Sequence, residues 1–202
     1  MAYVFKILVL GENHVGKTAI LSKYSNSQFS DTENNTDSPL YYYEKTVEYK
    51  GKKIKLEFWD IGVKEKFQAT LTMFYKNAKG ALIIYDVTNF ETFEKVETLF
   101  YLLEEEFGKD IPILIIGNKF DLSYNKSFKE HTEEIKDFCD KEYCDHFYTS
   151  AKNGYNLEKA FERLINNVVP KEFPEEEMKI RIGRGKRIEI CEDKYDNKGG
   201  SC

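Results

Sequence analysis

Two kinds of apolar run alternate along this chain. Val4-Phe5-Lys6-Ile7-Leu8-Val9-Leu10 is short and almost continuously apolar, the pattern of a strand covered on both faces. Gly80-Ala81-Leu82-Ile83-Ile84-Tyr85-Asp86 and Ile113-Leu114-Ile115-Ile116-Gly117 repeat it and predict further central strands. Between them, Phe93, Val96, Leu99, Phe100 and Leu103 recur at helical spacing. Tyr41–Tyr49 and Lys53–Asp60 flank Lys50-Gly51-Lys52, a hairpin signal. The segment after Gly16 opens the first helix, and a later helix around residues 130–142 precedes a short strand at His146–Tyr148. Leu157, Phe161, Leu164 and Ile165 mark a last helix that ends before Pro170. Strands alternating with helices predict an α/β sheet fed by crossover helices.

Two segments carry no such period. Residues 26–40, rich in Ser, Asn, Asp and Thr, read as a long mobile loop. Beyond Pro170, an acidic cluster with Pro174, Gly183, Gly185, Gly199 and Gly200 predicts a flexible tail over residues 171–202, leaving one domain at residues 1–170. The full 202 residues allow that domain a complete core. A chain 41% hydrophobic and 32% charged reads as soluble and globular, with no signal-like or membrane-spanning run. Cys139, Cys144, Cys191 and Cys202 show neither zinc-ligand spacing nor a paired framework, which suits a reducing cytosol. The net charge of −5 argues against nucleic-acid binding.

The first predicted strand runs into Gly11-Glu12-Asn13-His14-Val15-Gly16-Lys17-Thr18, a G-x-x-x-x-G-K-T loop opening a helix. Its glycines let successive N–H groups turn inward on a polyphosphate, and the helix presents its positive dipole end. Asn13, His14, Val15, Gly16, Lys17, Thr18 and Ala19 are the candidate phosphate-binding residues, with Lys17 at the β/γ-phosphates and the Thr18 hydroxyl on Mg²⁺. A histidine at position 14 is unusual so near the phosphates; its imidazole either donates there or points outward, the latter being adopted.

The loop does not name the base. Asn118-Lys119-Phe120-Asp121 sits where a buried strand ends, the place at which ligands of open α/β sheets collect. A carboxylate at Asp121 accepts from both N1–H and the exocyclic amine of guanine, whereas adenine leaves it unpaired. Asn118 ties neighbouring loops, the Lys119 stem covers the base, and Thr149-Ser150-Ala151-Lys152 brings the Ala151 N–H toward guanine O6.

On these three motifs the chain resembles the Ras-like small GTPases, and the Rab family in particular, over about residues 3–168. Lys55-Leu56-Glu57-Phe58-Trp59-Asp60, Phe74-Tyr75-Lys76-Asn77-Ala78-Lys79-Gly80 and Tyr85-Asp86-Val87-Thr88-Asn89 are similar to Rab segments. The resemblance implies a P-loop NTPase fold: a six-stranded mixed sheet, five strands parallel and one antiparallel at the edge, flanked by five helices. It implies bound GTP or GDP with Mg²⁺, Phe29 stacked edge-on against the base, and Asp60 holding the metal through a water. Tyr42, Trp59 and Phe74 match the aromatic cluster through which Rab proteins meet effectors. Exchange factors and activating proteins are the other implied partners, with a monomer cycling between the cytoplasm and the cytosolic face of endomembranes in vesicle traffic.

The switches depart from that pattern. Counting from the phosphate loop puts the metal-binding threonine at Thr36, 18 residues beyond Thr18, whereas counting back from Asp60 puts Asp37 there; Thr36 is adopted. Rab chains usually read Trp-Asp-Thr-Ala-Gly-Gln-Glu-Arg-Phe in the second switch, and this chain reads Trp59-Asp60-Ile61-Gly62-Val63-Lys64-Glu65-Lys66-Phe67. Lys64, or Val63 if shifted by one, replaces the water-orienting glutamine. Glutamine offers an acceptor and a donor; lysine only donates and valine does neither, so slow hydrolysis is expected, with Lys17, Thr36 and Lys64 as the catalytic candidates. The tail carries Lys179, Arg181, Arg184, Lys186 and Arg187 and ends in Cys202, which Rab-type prenylation would modify although the ending is neither C-a-a-X nor a cysteine pair. Alternative readings are a guanine-nucleotide-bound interaction module that does not switch, and a phosphotransferase built on the same loop.

Overall fold

Strand β1 (Tyr3–Leu10) is central because both its faces are apolar: Ile7, Leu8, Val9 and Leu10 are all fully buried. The computed structural model describes residues 2–25, 40–61, 75–123 and 126–173. In chain order the remaining elements are α1 (Lys17–Ser25), β2 (Leu40–Tyr49), β3 (Lys52–Ile61), β4 (Ala78–Asp86), α2 (Glu91–Phe107), β5 (Ile113–Asn118), α3 (Lys126–Lys141), β6 (Asp145–Tyr148) and α4 (Leu157–Glu172). A single 3-10 turn at Phe120–Leu122 follows β5. The strands form one sheet in the order β2-β3-β1-β4-β5-β6. All neighbours are parallel except β2 and β3, so the sheet is mixed with β2 as its antiparallel edge. That is the P-loop NTPase sheet. The described residues include four of the five expected α-helices.

Alternation within the strands divides the core into two layers. Leu8 and Leu10 of β1, Ile83 and Tyr85 of β4, and Ile113 and Ile115 of β5 pack with Phe93, Val96, Phe100 and Leu103 of α2 and with Ile135 and Phe138 of α3. On the other layer Phe161 of α4 stacks on Tyr24 of α1 at 3.6 Å and meets Phe58 of β3 edge-on at 5.4 Å. Leu99, read as core, is only partly buried.

Four boundaries differ from expectation. The hairpin turn is the two residues Lys50 and Gly51, both at positive φ (49° and 77°), so Lys52 already pairs with Tyr49. That is type I′ geometry, whose twist matches the flanking strands. Helix α3 begins at Lys126, ahead of the expected start near residue 130. Helix α4 runs through Pro170 to Glu172. Proline there removes one N–H near the helix end, and the Phe173 N–H closes on the Pro170 carbonyl at 3.0 Å. Leu40, assigned to the loop, opens β2.

Candidate functional site

The carboxyl ends of β1, β3, β4 and β5 and the loop after β6 converge on one side of the sheet. Chain order reverses about β1, which neighbours both β3 and β4, and such a switch point is where open α/β sheets bind ligands.

From β1 the chain turns at Gly11 (φ 144°), where a Cβ would lie 2.1 Å from the Ile84 carbonyl oxygen. At Gly16 (φ 96°) a Cβ would lie 2.4 Å from Asn118 Nδ2. Both positions therefore require glycine for close approach as well as for dihedral angle. Between them Val15 is buried, while Asn13 and His14 are exposed and His14 sits at φ 64°. Histidine tolerates this left-handed conformation better than most side chains. Ala19 is exposed on the first turn of α1.

Lys17 is 8% exposed and its Nζ donates to the Gly11 and Glu12 carbonyls, each at 2.9 Å. Burial lowers its pKa, opposed by the charges of Asp60 and Glu12. A buried ammonium spending two donors on loop carbonyls holds that loop in a ring and keeps a third donor for an anion. The Thr18 hydroxyl donates to Asp60 Oδ2 at 2.7 Å, tying the loop to the end of β3. Burial raises the Asp60 pKa, against the Thr18 hydrogen bond and the Lys17 charge. A desolvated carboxylate beside a hydroxyl is an oxygen pair that suits a divalent cation. Among the described residues no group of three or more His, Cys, Asp or Glu is placed to hold one alone, so phosphate oxygens and water would complete its shell.

Asn118, 2% exposed, is the central tie at the base end. Its Nδ2 donates to the Val15 carbonyl at 2.9 Å and its Oδ1 accepts from the Ala151 N–H at 3.1 Å. One side chain thus joins the phosphate loop, β5 and the loop after β6. Ala151 N–H already has this internal partner, so a base oxygen would share it. Asp121 Oδ1 accepts from the Ser150 hydroxyl at 2.6 Å, and Lys152 Nζ stands 3.8 Å from Oδ2. Ser150 is fully buried; the Lys152 side chain is 79% exposed and screens the carboxylate only loosely. The pair leaves further carboxylate lone pairs for N–H donors. The fully buried Thr149 hydroxyl has no hydrogen-bond partner among the described residues, a second polar group with capacity to spare in this loop.

Sequence reasoning missed one participant. Lys119 lies at φ 65°, and its Nζ pairs with Asp86 Oδ2 at 2.5 Å. Asp86 Oδ1 also accepts from the Thr88 N–H at 2.9 Å and the Thr88 hydroxyl at 2.7 Å, while the Asp86 N–H donates to the Thr92 hydroxyl at 2.9 Å. The end of β4 therefore aims the lysine stem. Its signal was an aspartate closing an otherwise apolar strand.

Of the aromatics that match the Rab effector cluster, Tyr42 is 41% exposed and meets Trp59 edge-on at 5.8 Å, with Lys6 Nζ 4.1 Å above the indole. Phe29, Thr36, Asp37, Gly62, Val63, Lys64, Phe74, Cys191, Cys202 and the basic tail cluster lie outside the described residues. No described helix is long and apolar enough to cross a membrane.

Comparison with known proteins agrees with this geometry. A model of the Ras family matches residues 6–170. The chain is 31% identical over 208 residues to the Ras-related protein YPTC6 of Chlamydomonas reinhardtii, covering 99% of this chain and 95% of that one. It is 31% identical to the Ras-related protein Rab-11A of Dictyostelium discoideum (82% and 76% covered) and 34% identical to the Ras-related protein Rab-8 of Diplobatis ommata (84% and 79% covered).

Proposed function

The chain belongs to the Ras family and is a small GTPase of Rab-like type, and on that premise we propose that it is a slow switch acting in vesicle traffic. The observation that carries the nucleotide reading is Asn118, which ties the phosphate loop to the guanine-reading loops through one buried and one half-buried hydrogen bond.

In this reading the two Asp121 oxygens accept from guanine N1–H and the exocyclic amine, with Oδ1 also accepting from the Ser150 hydroxyl. The Ala151 N–H, shared with Asn118, meets O6, and the Lys119 stem, steered by Asp86, covers the base. Phe29 flanks the opposite edge. Asn13, His14, Val15, Gly16, Lys17, Thr18 and Ala19 surround the phosphates, with the Lys17 ammonium moving its third donor to the β/γ oxygens. Thr18 and Thr36 would hold Mg²⁺, with Asp60 supporting it through a water; the bound ion would neutralise charge on the phosphates. The domain is residues 1–170, and residues 171–202 are a tail whose basic cluster and Cys202 provide the membrane signals.

Hydrolysis is slow because neither Lys64 nor Val63 can both accept from the attacking water and donate to the transition state. Single-turnover GTP hydrolysis tests that: a rate at or above the intrinsic Ras scale of about 10⁻⁴ s⁻¹ removes the claim. The same missing glutamine favours a second reading, a nucleotide-bound module that does not switch. Limited proteolysis with GDP and with a non-hydrolysable GTP analogue separates the two: different patterns support a switch, identical ones the static module.

A further inference from the structure

Helix α3 ends in a cap of the Schellman kind. Tyr143 takes the left-handed position (φ 51°), the Glu142 N–H closes on Phe138 O at 3.0 Å, and the Cys144 N–H closes on Cys139 O at 3.1 Å. This closure folds the second residue past the C-cap Glu142 back over the helix's last turn, where a side-chain contact commonly forms. Here the two positions are both cysteines. The Cys144 thiol also reaches the Cys139 carbonyl at 3.8 Å. Tyr143 is 97% exposed, so its ring does nothing to hold a turn that glycine would adopt more cheaply.

Both cysteines line an open cleft of about 610 Å³ between α3 and β6, with Thr132, Lys136, Asp140 and His146. None of these residues belongs to the nucleotide site. Cys139 is buried and Cys144 half-buried, so a solvent-borne reagent meets Cys144 first. The Cys139 thiol hydrogen-bonds to Cys144, which lowers the Cys144 pKa and raises that of Cys139. The accessible member is thus the better thiolate, and the thiolate is the nucleophile.

We propose that Cys144 and Cys139 form a thiol–disulfide exchange site for a low-molecular-weight disulfide of the glutathione type. The Cys144 thiolate attacks one sulfur of the reagent; the reagent's S–S bond breaks, and one thiolate leaves and takes a proton from water. Cys139 then loses its proton to solvent and attacks the Cys144 sulfur, expelling the second thiol. Two protein thiols are oxidised to one disulfide, and one reagent disulfide is reduced to two thiols.

The consequence rests on the proposed nucleotide reading. Cys144 directly precedes β6, an edge strand of four residues whose Asp145 is fastened to α4 by Arg163 Nε and Asn167 Nδ2, each at 2.7 Å. Strand β6 leads into Thr149–Lys152, the guanine-reading loop. Closing the disulfide draws Cys144 onto α3 against that anchor and loosens the loop, so guanine nucleotide leaves faster.

The test uses full-length Cys191→Ser/Cys202→Ser protein exposed to glutathione disulfide. Expected are an intact mass lower by two hydrogens, a peptide map joining Cys139 to Cys144, and reversal by dithiothreitol. Cys139→Ala should stop at a glutathione adduct on Cys144, and Cys144→Ser should not react. Two free thiols, or a stable adduct on Cys144 with Cys139 present and free, overturns the site. Release of a fluorescent GDP analogue should quicken at least about fivefold in the oxidised form, the low end of coupling between linked sites; an unchanged rate overturns the coupling. Protein that holds no GDP in either form indicts the nucleotide reading instead, since the thiol map is read without nucleotide.

Discussion

The two ends of the proposed nucleotide site are built differently. At the base end, Asn118 and Asp121 gather the phosphate loop, the end of β5 and the loop after β6 through buried or half-buried hydrogen bonds of 2.6 to 3.1 Å. At the γ-phosphate end, the Thr18–Asp60 bond joins the phosphate loop to β3, and from Ile61 onward the chain leaves the Rab pattern. The difference separates two physical tasks. Holding a nucleotide needs fixed complementarity to its edges, which static hydrogen bonds supply. Cleaving it needs a group that aligns water only in the transition state. A chain can lose the second without disturbing the first.

Asp121→Asn strikes the base end hardest. Exchanging an acceptor for an amide leaves guanine N1–H facing a donor, and GDP affinity should fall on the order of a thousandfold while xanthosine diphosphate binds better. Competition against a fluorescent GDP analogue measures both, and equal affinity for the two bases would remove Asp121 from the base pocket. Asn118→Ala is next. It strands the Val15 carbonyl and the Ala151 N–H, so unfolding free energy should drop by about 2–4 kcal/mol. Denaturant titration reads that loss; a drop below about 0.5 kcal/mol would mean the three segments hold together without this tie.

Changes at the other end should leave affinity alone. Lys64→Gln combined with Val63→Gly restores the water-aligning group and should raise single-turnover hydrolysis roughly tenfold or more with GDP affinity unchanged. A rate that does not move places the defect elsewhere, and a large change in affinity breaks the separation of the two ends.

The smallest effect is a pH dependence on the base side. Burial lowers the His146 pKa from 6.5 to about 4, and its Nε2 shares a 2.9 Å hydrogen bond with the Tyr85 hydroxyl. The folded pKa lies below the unfolded one, so protons bind the unfolded chain first. The stabilisation is complete above about pH 6.5 and is lost as pH falls toward 4. The half-buried ring limits this to roughly 1–3 kcal/mol. Wild type and His146→Gln, compared by denaturation at pH 7.5 and 4.5, should converge at the lower pH; parallel losses would assign the acid sensitivity to other groups.

Much of this was legible from residue order because the motifs are local. Gly11 to Thr18 follows a strand and opens a helix, and both facts lie within one stretch of apolar pattern. Boundaries set by dihedral angles were less legible. The hairpin turn took two residues instead of three because Lys50 joins Gly51 at positive φ, and α4 passed Pro170 because a helix's last turn tolerates a missing donor. The Asp86–Lys119 pair was invisible, since the two residues approach only through the pairing of β4 with β5.

Sequence alone determined the chemistry available: a phosphate loop with its lysine and threonine, an Asn-Lys-x-Asp segment, a Ser-Ala-Lys segment, and Lys64 or Val63 in place of the water-orienting glutamine. Those follow from residue type and spacing within a few positions. Which of these groups meet was decided by the sheet. Parallel pairing of β1, β4, β5 and β6 delivers strand ends dozens of residues apart to one side, letting Asn118 reach Val15, whereas Cys144 meets Cys139 through a local helix cap. Hydrogen bonds between distant segments act over a few ångströms of space, and chain distance says nothing about them until the strands are in register.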